Sequence, residues 1–206
     1  MKKFFALALV ITTIAVFSSC SNKMEVGKLL DKEGIAPYEL SEHDTYLLQA
    51  LPIRGDVSII SFKAPKAANS LKAKAYILED DSRWRTIGEG QILLEQDASS
   101  NAQLEGTFTL LLREDYSIAM QINAMGSATY QTEVLDIDCD IISFSKGFLT
   151  DFQEIELNKE IPVAIAIYDS GTSIRSYLLD SFYSPSVFEG MDLVQVVTLT
   201  FIDKVD

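Results

Sequence analysis

Residues 104–124 read Leu-Glu-Gly-Thr-Phe-Thr-Leu-Leu-Leu-Arg-Glu-Asp-Tyr-Ser-Ile-Ala-Met-Gln-Ile-Asn-Ala. Two runs of alternating apolar and polar residues flank a charged break, the pattern of two strands joined by a tight connection. In the first run Leu104, Gly106, Phe108, Leu110 and Leu112 share a face, opposite Glu105, Thr107 and Thr109. In the second, Tyr116, Ile118, Met120, Ile122 and Ala124 share a face, opposite Ser117, Ala119, Gln121 and Asn123. Directly paired residues point to the same side of a sheet. A two-residue turn at Glu114-Asp115 would pair Arg113 with Tyr116 and mix the faces. A three-residue loop, Arg113-Glu114-Asp115, keeps them apart. It pairs Leu112 with Tyr116, Leu110 with Ile118 and Phe108 with Met120. Such loops want a positive φ at their last residue, and Asp115 tolerates that better than most residues.

The same two-residue period runs through much of the chain. Leu71, Ala73, Ala75 and Ile77 alternate with Lys72, Lys74 and Tyr76. Trp84 to Glu95 carries Gly88 and Gly90, which signal a bulge or bend. Leu135, Ile137, Cys139 and Ile141 alternate with Asp136, Asp138 and Asp140. Val163 to Tyr168 is apolar on both faces, as a central strand would be. Leu193 to Ile202 is long and rich in Val and Thr, and offers a candidate edge for a partner strand. Turn signals stand at Asp80-Asp81-Ser82 and Asp169-Ser170-Gly171. The expected body is therefore all-β: an antiparallel β-sandwich of about eight strands over residues 57–206. Before it, Ser41 and Asp44 form a capping box. Leu47, Leu48 and Leu51 follow at helical spacing, and Pro52 and Gly55 close a short helix near 42–51.

The composition removes several classes of function. Of 206 residues, 48% are hydrophobic and 23% charged, a globular balance. With 17 Lys and Arg against 30 Asp and Glu the net charge is −13, so a nucleic-acid partner is not expected. One His and two Cys are too few for the common His- or Cys-based zinc sites. No cofactor motif is present.

The first twenty residues carry an address. Met1-Lys2-Lys3 is a short positive segment, and Phe4 to Phe17 is uncharged. As a helix those 14 residues would span about 21 Å, short of a hydrocarbon core of about 30 Å. That is the pattern of a signal peptide over 1–19. Phe17-Ser18-Ser19-Cys20 resembles the lipobox of bacterial lipoproteins. The resemblance implies that Cys20 carries the lipid and begins the mature chain, with Ser18 and Ser19 as the small residues before it. Phe17 departs from the aliphatic residue usual there, which leaves ordinary cleavage after Ser18 open. Two acyl chains anchor stably where one does not. Cleavage removes Lys2 and Lys3 and leaves 15 bases against 30 acids, a formal charge of −15. Residues 20–56 are then expected to be tether plus helix, with the body held off the bilayer.

The chemistry-bearing residues are sparse. No G-x-S-x-G elbow, phosphate loop or G-x-G-x-x-G is present. Gly88-Glu89-Gly90 belongs to a strand pattern, and His43 is expected on a solvent-facing helix. Cys139, between two Asp, is expected as a buried core thiol, since Asp would raise its pKa. Asp136, Asp138 and Asp140 alternate as the acids that open a calcium-binding loop do. On a strand, however, their carboxylates would stand about 6.6 Å apart, so no metal site is expected. Trp84, between Arg83 and Arg85, is the one ligand-binding candidate, as an exposed platform for a sugar or an aromatic peptide residue. The alternative is a Trp that caps the sandwich end with Arg stacked on it. The expected function is a lipid-anchored, extracytoplasmic binding or interaction module, non-catalytic, for a glycan, a peptide or another envelope protein. The alternatives are a polymer hydrolase built on a carboxylate pair and an assembly protein using an exposed edge strand.

Overall fold

Phe108, Leu110, Leu112, Ile118, Met120 and Ile122 are all buried in the computed structural model, which describes residues 29–51, 56–94, 103–137, 139–172 and 175–203. The chain order is β1 (Gly34–Pro37), α1 (Glu42–Ala50), β2 (Asp56–Lys63), β3 (Ser70–Leu78), β4 (Trp84–Leu93) and β5 (Glu105–Leu112). There follow β6 (Ile118–Asn123), β7 (Ser127–Gln131), β8 (Ser143–Phe148), β9 (Glu160–Asp169) and β10 (Leu193–Ile202). One sheet has the order β1-β2-β5-β6-β7 and the other β4-β3-β10-β9-β8, all neighbours antiparallel. Among the described residues the fold is an all-β sandwich of ten strands, two more than the sequence pattern counts. The extra strands are short: β1 has four residues and β7 five.

The hairpin keeps its faces but not its expected pairing. Leu112 lies opposite Ile118, Leu110 opposite Met120 and Phe108 opposite Ile122. The three-residue loop is Glu114-Asp115-Tyr116, one position later than expected. Arg113 N–H donates to Ser117 O at 3.0 Å. Asp115 Oδ1 accepts from Ser117 N at 3.1 Å and Ser117 Oγ at 2.6 Å, so the Asp side chain closes the turn. Tyr116, not Asp115, takes the positive φ, at 61°. Its ring meets Tyr168 edge-on at 5.0 Å, and its carbonyl accepts from Gln195 Nε2 at 2.8 Å. Those tertiary contacts offset the cost of a bulky residue in the left-handed region.

Four further expectations are corrected. Leu193–Ile202 is not an edge: β10 is the central strand of its sheet, paired with β3 and β9. The stretch around Leu135–Ile141 is not a strand; its described residues are irregular, and Asp138 lies outside them. Leu135, Ile137 and Ile141 pack from a loop against the core margin, which imitates strand alternation. Cys139 is only partly buried. The sheet also begins inside the segment expected as tether and helix. Ile35 of β1 is fully buried and pairs with Phe62. The helix itself is as expected, with Ser41 Oγ accepting from Asp44 N and the Asp44 carboxylate accepting from Ser41 N, both at 3.1 Å. No residue of α1 is buried, and His43 faces solvent.

The second sheet is covered on both faces, which is why β9 and β10 are buried along nearly their whole length. One face packs on the first sheet through Leu71, Val163, Val197 and Leu199. The other carries Tyr76, Ile165, Ile167, Val194 and Val196, capped by Phe182 and Phe188. These two Phe come from the β9–β10 connection, which makes two 3₁₀ turns, Leu179–Tyr183 and Pro185–Phe188. Burying a side chain of that size stabilises by about 1.5–3 kcal/mol, so the connection is held by its own anchors. Among the described residues no helix is long and apolar enough to cross a membrane.

Candidate functional site

Strand alternation puts Lys72, Lys74 and Tyr76 on the outer face of β3. The aromatic cap covers Tyr76 and stops there. Beyond it the face turns polar: Lys72 lies opposite Thr200, and Lys74 opposite Thr198. Glu160, the first residue of β9, reaches into this boundary. Its Oε1 accepts from Tyr76 OH at 2.5 Å and stands 3.3 Å from Lys74 Nζ. Tyr183, from the first 3₁₀ turn, donates its hydroxyl to Glu160 O at 2.6 Å. The sheet thus supplies lysine and tyrosine, the β9 start supplies the carboxylate, and the cap supplies a second tyrosine.

Electrostatics tie these groups together. Burial raises the Tyr76 phenol above its ordinary pKa, and its bond to Glu160 adds to the rise. Partial burial acts to lower the Lys74 ammonium, but hydrogen bonds and charge interactions with Tyr76 and Glu160 outweigh it and hold the lysine high. Burial likewise raises Tyr183. Near neutral pH the centre therefore holds an ammonium at Lys74 and two neutral phenols.

Two open clefts meet at Glu160. One, about 490 Å³, is lined by Lys72, Lys74, Asn158, Glu160, Thr200 and Asp203 among others. The other, about 520 Å³, is bounded by Glu154, Glu156, Lys159, Glu160, Asp180 and Tyr183 among others. Among the described residues Lys72 has no ion-pair partner. Thr198 Oγ1 is fully buried on the same face without a hydrogen-bond partner. Tyr183 remains 51% exposed. The arrangement offers ammonium donors, carboxylate and amide acceptors, and an accessible aromatic ring.

Trp84 stands elsewhere, at the other end of β3 and β4. Its ring stacks on Phe182 at 5.4 Å and meets Phe188 and Tyr76 edge-on. Its indole N–H donates to Phe182 O at 2.9 Å. The cap over it is aromatic, whereas Arg83 pairs with Asp81 and Arg85 with Glu79. The Asp192 carboxyl is held below the ordinary range, first by hydrogen bonds from Ser170. Among the described residues no group of acids, His and Cys is placed to hold a metal ion. Cys20 lies outside the described residues.

Sequence reasoning missed Glu160, Lys72 and Lys74. The lysines were visible only as the polar half of an alternating strand. Nothing local links them to a glutamate 86 positions beyond Lys74. Comparison with family models, with curated proteins and with solved structures returns no match.

Proposed function

We propose that the chain is a lipid-anchored, extracytoplasmic binding module that takes a glycan in the cleft between Lys72 and Glu160. The observation that carries this reading is the centre at Glu160, where Lys74, Tyr76 and Tyr183 converge beside an open cleft. Sugar hydroxyls need donors and acceptors together, and sugar rings pack on aromatic faces. Lys72, Asn158, Thr200 and Asp203 supply the polar groups, and Tyr183 supplies an exposed ring in the adjoining cleft across Glu160. Anchoring rests on Phe17-Ser18-Ser19-Cys20.

Two measurements test the two halves. Cys20→Ala should abolish acyl labelling and release the chain from the membrane fraction. A variant that keeps both would sink the anchor. For the ligand, titration calorimetry against a panel of neutral and acidic oligosaccharides should find a binder. Lys72→Ala should weaken it about tenfold, the loss of one hydrogen bond to a charged group. Binding unchanged in that variant would remove the cleft from the reading.

The second cleft favours one competing reading. Glu154, Glu156, Glu160 and Asp180 line it beside Tyr183, the ingredients of a carboxylate-pair hydrolase. Release of reducing ends from the same oligosaccharides, lost in Glu160→Gln, would establish hydrolysis. Binding without release supports the module.

A further inference from the structure

We propose that the outer face of the first sheet is a self-association surface, on which two copies of the chain pack sheet against sheet about a two-fold axis. The outer face of the second sheet is closed by Phe182 and Phe188 from its own connection. The outer face of the first has no such cover: among the described residues no hydrophobic cluster forms on it. Register lays its outward side chains, on β2, β5, β6 and β7, in three cross-strand rows of four. They run from Val57 to Gln131, from Ile59 to Thr129 and from Ser61 to Ser127. Thr109 and Gln121 lie at the centre, part-exposed, and Thr129 beside them is exposed. Gln121 Nε2 donates to Asn123 Oδ1 and to Ser127 Oγ, both at 3.1 Å, so the amide is already fixed in place.

None of the side chains in these rows is charged. With 23% of the chain charged, and charge concentrated at exposed positions, about three would be expected. Depletion of charge is the compositional mark of an interface centre. The flanking rows hold one base and one acid each: Lys63 with Glu105, 3.8 Å apart, and Arg113 with Glu133, with Glu114 and Asp115 beyond them in the turn. The occupant follows from charge. A chain of net charge −13 repels its own copy wherever acids meet acids, and this face lets two copies touch with no charge brought between them. Thr, Ser, Asn and Gln each donate and accept, so the face can pair with itself across a two-fold. Val57, Ile59 and Leu111 add apolar surface at one corner. The rows cover about 20 Å by 20 Å, the low end of specific interfaces. The association is therefore weak and reversible, with a Kd of about 10–100 µM.

Sedimentation equilibrium tests the pairing. The full chain, under reducing conditions, is spun in a nonionic detergent of the buffer's density at up to about 300 µM. The expected result is a monomer–dimer equilibrium in that micromolar range. Thr109→Glu places two carboxylates at the centre of the pair and should weaken it at least about tenfold, with an unchanged circular dichroism spectrum to show the fold retained. Gln121→Glu, on the neighbouring strand, should do the same and serves where Thr109→Glu fails to fold. Ser186→Glu adds the same charge at an exposed position on the cap of the other sheet and should leave the association unchanged. Monomer alone at the highest concentration would overturn the proposal. So would a dimer that both face variants leave intact, or one that Ser186→Glu weakens equally.

Discussion

Tyr130 and Gln91 join the two sheets at their open sides. The Tyr130 hydroxyl donates to Gln91 O at 2.8 Å and accepts from Gln91 N at 3.0 Å. Tyr130 belongs to β7, the edge of the first sheet, and Gln91 to β4, the edge of the second. One side chain thus occupies backbone groups that an added strand would otherwise use. Gly90 makes the contact possible, since a Cβ there would lie 2.2 Å from the Tyr130 ring. Gly88 does the same for Thr132, at 2.9 Å.

Tyr130→Phe should therefore cost about 1–3 kcal/mol, because it leaves both part-buried backbone groups of Gln91 without their partner. Urea unfolding with an unchanged slope checks it. Gly90→Ala should destabilise by a similar or larger amount through overpacking. Stability unchanged in both would deny that the edges are joined this way.

Phe108 is fully buried at the centre of β5. Phe108→Ala should cost about 3–5 kcal/mol, the transfer loss plus the cavity left behind. A loss under about 1 kcal/mol would contradict its place in the core.

The β5–β6 turn gives a pH prediction. Hydrogen bonds from the Ser117 hydroxyl and backbone N–H hold the Asp115 carboxyl below its ordinary value. A depressed carboxyl contributes stability that is present above its unfolded pKa, near 4, and lost as pH falls through the lower folded value. In Ser117→Ala the Asp115 titration, followed by carboxyl-carbon NMR, should move up toward the ordinary range. An unmoved titration would show that the side-chain bond does not set it.

Calcium should leave the fold unmoved. A site of about 1 mM affinity at about 10 mM calcium would add about 1.4 kcal/mol, a melting shift of roughly 3–6 °C at this size. We expect no such shift over magnesium at equal ionic strength. A calcium-specific rise of that size, lost in Asp138→Ala, would place a site at Asp136–Asp140.

The sequence by itself determined the fold class, the inward faces of the hairpin and the capped helix. Each rests on neighbours within a few positions: alternation at β3, β5 and β6, and the Ser41–Asp44 box. It also misled where alternation came from a loop, at Leu135–Ile141, because packing on the core edge can imitate a strand. Tertiary structure alone decided the rest. The register at Tyr116 depended on Tyr168 and Gln195, far along the chain, to stabilise a positive φ. The central place of β10 depended on which strands flank it, and its apolar outer face on Phe182 and Phe188 folding over it. The centre at Glu160 depended on the pairing of β3, β10 and β9, which brings Lys74, Tyr76 and Glu160 together from distant positions. Local pattern fixes which way a side chain points; only strand order and loop packing fix what it meets.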